Sequence, residues 1–201
     1  MSDSRWLDAD RNVRSAIQHF SMALKIWGNR HADKDQYDQY VQDAALMHAM
    51  QSGHTSFENA MLNILGILDE TPPSGESWHQ ELIRRVSEPA ESRPSVLDAK
   101  IARAATRTRA FRHVASRGYD AFEIELGAPA MDAARILING LPEAVANFRN
   151  VTDPPSSDDK PKRRGACVEP VVRNESKDGD EGWTPPEPSP LEDLSDPFKT
   201  S

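Results

Sequence analysis

Apolar positions along the first 151 residues recur at helical spacing, with no segment alternating as a strand would. Trp6, Val13, Ile17, Phe20, Leu24 and Trp27 follow one another at intervals of seven, four, three, four and three, the period of a single face over about six helical turns. Gly28-Asn29 predicts the end of that helix. A longer stripe starts near Ala32 and runs through Tyr37, Val41, Ala44, Met47, Met50, Phe57, Met61, Ile64, Leu65 and Leu68, stopping before Pro72-Pro73. It reads as one long helix with a weak point at Gly53, because Thr55-x-x-Glu58 just beyond has the form of a capping box. Trp78, Leu82, Ile83 and Val86, between Pro73 and Pro89, predict a short third helix. A fourth is expected after Pro94, where Ser95-x-x-Asp98 is an N-terminal capping pattern, with Leu97, Ile101, Ala104, Thr108, Phe111, Ala115, Gly118 and Phe122 on one stripe. A fifth carries Met131, Ala134, Leu137, Leu141, Val145 and Phe148, with a bend expected at Pro142. Long amphipathic helices joined by short breaks predict an all-α fold, an antiparallel bundle of four to five helices.

The pattern stops at residue 152. Residues 152–201 hold nine of the 15 prolines, with twelve acidic and seven basic groups and few apolar ones. Such a segment buries too little surface to offset the entropy of ordering it, so a disordered, acidic, Pro-rich tail is expected after a domain spanning 1–151. The split changes the meaning of the charge. The chain carries 24 Lys plus Arg against 32 Asp plus Glu, a net −8, yet residues 1–151 alone are near −3. Within the tail, Lys160-Pro-Lys-Arg-Arg164 reads as a solvated charge run before it reads as a nucleic-acid patch. Leu191-Glu-Asp-Leu-Ser-Asp-Pro-Phe198 suits a short segment that folds onto a partner. A single cysteine, Cys167, excludes an internal disulfide or a zinc–cysteine site. The charged start, together with a most apolar stretch, Ala60 to Leu68, that is only nine residues long and holds Asn63, predicts neither a signal peptide nor a membrane span, and hence a cytoplasmic protein.

No glycine-rich phosphate loop occurs, and His19, His31, His48, His54, His79 and His113 show no metal-ligand spacing, so neither metal nor cofactor is expected. The segment that stands out runs from Lys100 to Tyr119, with Lys100, Arg103, Arg107, Arg109, Arg112 and Arg117 and no acid among them. With Phe111 facing the core, Arg109, Arg112, His113, Ser116 and Arg117 are expected to fan across an exposed face. Guanidinium forks hold phosphate oxygens and an imidazole moves protons near neutral pH, so an Arg–His face suits RNA. The same pattern also describes an ordinary solvated helix face.

The segment Phe111-Arg-His-Val-Ala-Ser-Arg-Gly-Tyr119, preceded by Trp78-His79-Gln-Glu-Leu82 and Arg93-Pro94, resembles the HepT-like branch of the HEPN superfamily, over roughly residues 5–150. The resemblance implies a helical bundle, usually a homodimer, that acts on RNA as a metal-independent ribonuclease toxin paired with a nucleotidyltransferase-type antitoxin. It places the catalytic motif at Arg112, Arg117 and Tyr119, with His113 a further catalytic candidate beside it and Arg109, Arg112 and Arg117 binding RNA. Tyr119 would then be the residue the antitoxin adenylylates, although its ring equally suits a cap on the bundle core. One departure counts: the motif has histidine two residues before the tyrosine, and this chain has Arg117, which is a poor proton shuttle. His113, four residues earlier, is an alternative source of an imidazole. The expected function is therefore a HepT-like toxin or a descendant with an altered motif. The alternatives are a catalytically degraded bundle serving as a binding or dimerisation module, and a structural protein whose basic face pairs with its own acidic tail.

Overall fold

The structure is a computed structural model that describes residues 4–30, 35–117 and 127–154, with 112–117 as helix backbone alone. After a 3-10 turn at Ser4–Trp6 come α1 (Leu7–Gly28), α2 (Gln36–Ile67), α3 (Trp78–Ser87), α4 (Ala99–Arg117) and α5 (Gly127–Thr152), and the described residues include no strand. The fold is an all-α antiparallel bundle, as the spacing predicts.

Helix α1 buries Ala9, Val13, Ala16, Phe20 and Ala23, with Ile17, Leu24 and Trp27 packed at the margin. It runs against α2 with Phe20 beside Gly53 and Ser15 Oγ 3.0 Å from Ser56 Oγ, an order that makes the two helices antiparallel. Against α5, fully buried Trp6 meets Phe148 edge-on at 6.4 Å while Trp27 covers Gly127. The start of α1 thus lies at the end of α5. Trp6 Nε1 and Arg5 both donate to the Asp153 carboxylate, at 2.9 and 2.8 Å. Composition assigns Asp153 to the tail, yet it is held by the N-terminal turn. From Pro155 on, the expected tail lies outside the described residues.

Helix α2 is continuous through Gly53. Its start differs from the predicted one, because the Asp35 carboxylate accepts from Asp38 N at 2.8 Å and caps the helix there. Its first turns also differ. Tyr37 and Val41, expected on the apolar stripe, are exposed, and burial begins at Leu46. The capping box at Thr55 does not form, since Glu58 is turned into the protein and is 2% exposed. Gly53 is a notch and not a break: a Cβ there would stand 2.8 Å from two atoms of the Phe20 ring, well inside van der Waals contact. Gly53→Leu is expected to cost about 1–3 kcal/mol by overpacking, outweighing the ~1 kcal/mol that leucine's helix propensity returns, as a lower urea midpoint would show.

Helix α3 buries Leu82, Ile83 and Val86. Between α3 and α4 the chain turns through Arg93, which is 6% exposed and pairs with Glu70, three residues past the end of α2. Its guanidinium also donates to the carbonyls of Arg85, Glu88 and Pro94 at 3.1, 3.3 and 3.2 Å. Three elements are pinned by one side chain. The α4 cap is Asp98 and not Ser95: its carboxylate accepts from Ile101 N at 2.7 Å and its carbonyl from Ala102 N at 2.9 Å, so the helix starts one turn later than predicted. The α4 stripe is buried at Ile101, Ala104, Thr108 and Phe111, while Gly118 and Phe122 lie outside the described residues. All six expected α5 core positions are buried, and α5 continues as helix through Pro142.

Candidate functional site

Four polar side chains from three helices meet inside the bundle. His54 and Glu58, four residues apart on α2, occupy the register of the buried stripe, since 54 is four beyond Met50 and 58 is three before Met61. Both are shut off from solvent, as is Thr108 of α4. Glu58 Oε1 lies 3.1 Å from His54 Nε2 and 2.5 Å from Nδ1 of His79, in the first turn of α3. His54 Nδ1 is 3.0 Å from Thr108 Oγ1, which in turn is 3.0 Å from the Ala105 carbonyl. A buried carboxylate is therefore shared by two imidazoles, and one of these reaches α4.

Burial pushes the Glu58 carboxyl up, but the hydrogen bond and charge of His54, followed by those of His79, more than offset it and hold the group below the usual 4.5. Glu58 is then ionised near neutrality and accepts only, so both ring nitrogens that face it carry protons. Thr108 has one proton to give. A neutral His54 takes it at Nδ1 and the Ala105 bond is given up, whereas a protonated His54 donates to Thr108 and leaves that hydroxyl free to donate to Ala105. Either way the network stays proton-ordered.

His79 is the member that reaches the surface, its side chain 27% exposed against 2% for Glu58. Trp78 stacks on it at 3.7 Å between ring centres, so the imidazole is fixed by a carboxylate on its edge and an indole on its face. Nothing among the described residues bonds its Nε2. With Nδ1 protonated, Nε2 of the neutral ring is the basic atom.

The α4 cations divide into two sets. Lys100, Arg103 and Arg107 are exposed within an arc of roughly 60°, and among the described residues none pairs with an acid. Arg109, expected on the exposed face with Arg112 and Arg117, is instead half-buried on the other flank, with its Nε buried and unbonded. Arg112 follows Thr108 by four residues and Arg109 by three, so it continues the register of the buried network. The side chains of Arg112, His113 and Arg117, and Tyr119 altogether, lie outside the described residues. A separate cleft of about 640 Å³ opens between the start of α4 and α5, lined by Lys100, Arg135, Asn139, Glu143 and Asn147 among others. None of the His54–Glu58–His79 cluster borders it. Among the described residues no group of three His, Cys, Asp or Glu side chains is placed to hold a metal ion, and no helix is long and apolar enough to cross a membrane.

None of His54, Glu58, His79 and Thr108 is among the site residues that the sequence suggests. One signal was available: an ionisable pair at i,i+4 inside an otherwise apolar register, which needs a partner wherever it is buried. Glu58 was hidden by the rival explanation of a cap.

The chain is a helical bundle whose fourth helix carries residues 111–117, and the class it falls in is the HEPN superfamily. Within it, residues 45–152 match the family model described as HepT-like protein, more than half of the chain, and the chain belongs to that family. The match begins within α2 and ends with α5, so α1 falls outside it, a shorter extent than the 5–150 expected. It contains all four residues of the buried network. Comparison with curated proteins and with solved structures finds no match.

Proposed function

We propose that this HepT-like protein binds RNA along α4 and cleaves it without a metal ion, as the toxin half of a pair whose antitoxin is of the nucleotidyltransferase type. The observation that carries the reading is the exposed set Lys100, Arg103 and Arg107, free of acidic partners among the described residues, on the helix that leads into Arg112 and Arg117. In a chain of net −8 such a concentration of unpaired cations suits a polyphosphate strand. Arg112 would hold the scissile phosphate, with Arg109 and Arg117 as further RNA-binding groups. Adenylylation of Tyr119 by the antitoxin and homodimerisation belong to the same proposal, on the family's account.

The test is incubation of the purified full chain, free of antitoxin, with transfer and messenger RNA near neutral pH. Cleavage that Arg112→Ala abolishes is expected, and intact RNA throughout overturns the enzymatic reading. Replacing Lys100, Arg103 and Arg107 together with glutamine should flatten the dependence of log affinity on log salt by about 2, at ~0.7 per lost single-strand phosphate contact. Arg117 in the place of the motif histidine favours a second reading, a binding or dimerisation module descended from a nuclease. RNA binding without cleavage, with cleavage gained in Arg117→His, would select it.

A further inference from the structure

We infer that His79 is the proton acceptor in the RNA cleavage proposed above, oriented by Glu58; the inference rests on that reading and supplies the base that Arg117 does not. Three features of the imidazole carry it. Its Nδ1 is held by Glu58 Oε1 at 2.5 Å, which fixes the tautomer and leaves the lone pair on Nε2. Its ring is clamped by Trp78 at 3.7 Å, so little orientational freedom remains to be lost when substrate binds. It sits at the boundary between a buried carboxylate and solvent, so the ring is partly open to a substrate while Glu58 behind it is closed to bulk water. A carboxylate behind an imidazole is the arrangement that orients a base and stabilises the imidazolium once a proton has been taken.

The same carboxylate ties this dyad to the basic helix. Glu58 bonds His54, His54 bonds Thr108, and Arg112 follows one turn later on α4. The groups that bear on His79 are thus Glu58 and, behind it, His54 from α2 and neutral Thr108 from α4. Glu58, His54 and Thr108 are positioning residues. In the reaction His79 Nε2 takes the proton of the ribose 2′-hydroxyl, the O2′–P bond forms and the P–O5′ bond breaks with its electron pair left on O5′. Water protonates O5′, and the hydroxide so formed takes the proton from His79. The products are a 2′,3′-cyclic phosphate and a 5′-hydroxyl end, with the base regenerated.

The test compares the full-length wild type with His79→Ala on a short RNA, measuring binding, single-turnover cleavage and its pH profile. His79→Ala is expected to bind RNA within about twofold of wild type while its cleavage rate falls by 10²–10⁴, the usual contribution of a positioned base. The acidic limb of the pH profile disappears with it, and added imidazole restores part of the rate. His79→Asn, whose amide N–H can still donate to Glu58, serves wherever the alanine variant does not fold, and the same loss is expected of it. A folded variant of either kind that cleaves within about tenfold of wild type, or keeps the acidic limb, overturns the assignment. Wild-type protein that leaves RNA intact removes the proposed function itself, so the two failures are told apart by the wild-type lane.

Discussion

Glu58→Ala is expected to lower the unfolding free energy by about 3–5 kcal/mol, the range for removing one partner of a buried charged pair. The side chain is 2% exposed and bonds two imidazoles from different helices. Without it His54 and His79 lose their common acceptor, and His54 is sealed where water cannot replace it. Urea unfolding followed by circular dichroism measures the loss. Glu58→Gln separates charge from shape through pH. Because the folded carboxyl titrates below 4.5, its stabilising contribution is complete above that value and is lost as pH falls through the lower, folded value. The gap in stability between wild type and Glu58→Gln should therefore narrow on acidification below about 4.5. A gap that stays constant to acid would mean that Glu58 is not ionised in the folded bundle.

Arg93→Ala is the second large effect expected, a loss of about 3 kcal/mol. The guanidinium pairs with Glu70 and donates to three carbonyls around the α3–α4 turn, and the alanine variant removes all of these bonds at once. Arg93→Lys should recover little of this, because an ammonium lacks the planar fork that serves several acceptors at once. The turn sets where α4 begins, and Asp98 caps it five residues later. Loosening it should also reduce RNA affinity in the proposed function, whereas a variant as stable as wild type in urea would show that the turn holds without its arginine.

Helix α1, the continuity of α2 through Gly53, and the six core positions of α5 follow from spacing alone, because a buried helix face needs an apolar residue every three or four positions whatever lies opposite. The two cap errors have a common cause. Ser95 and Thr55 each begin a sequence that satisfies a capping pattern, and a local pattern does not reveal which competing acceptor the chain uses. At α4 the later Asp98 takes the role, and on α2 the acid of the supposed box is drawn inward by two histidines. Tyr37 and Val41 fit the α2 stripe by number but extend past the part of the helix that its neighbours cover.

For the candidate site the division is sharper. The basic run and the Phe111–Tyr119 segment are local, and so the sequence carries the family. His79 is only one of six histidines until α2 and α3 are brought together.

By itself the sequence determined the helices, their apolar faces, the break in composition at residue 152 and the concentration of cations on the fourth helix, because each depends on residues within a few turns of one another. Tertiary structure alone decided that Gly53 is a notch for Phe20, that Asp153 closes onto the N-terminal turn, and that His54, Glu58, His79 and Thr108 share one network. The physical reason is the same in all three: a buried polar or close-packed contact is defined by its partner, and here the partners that join separate elements lie 21 to 148 residues apart.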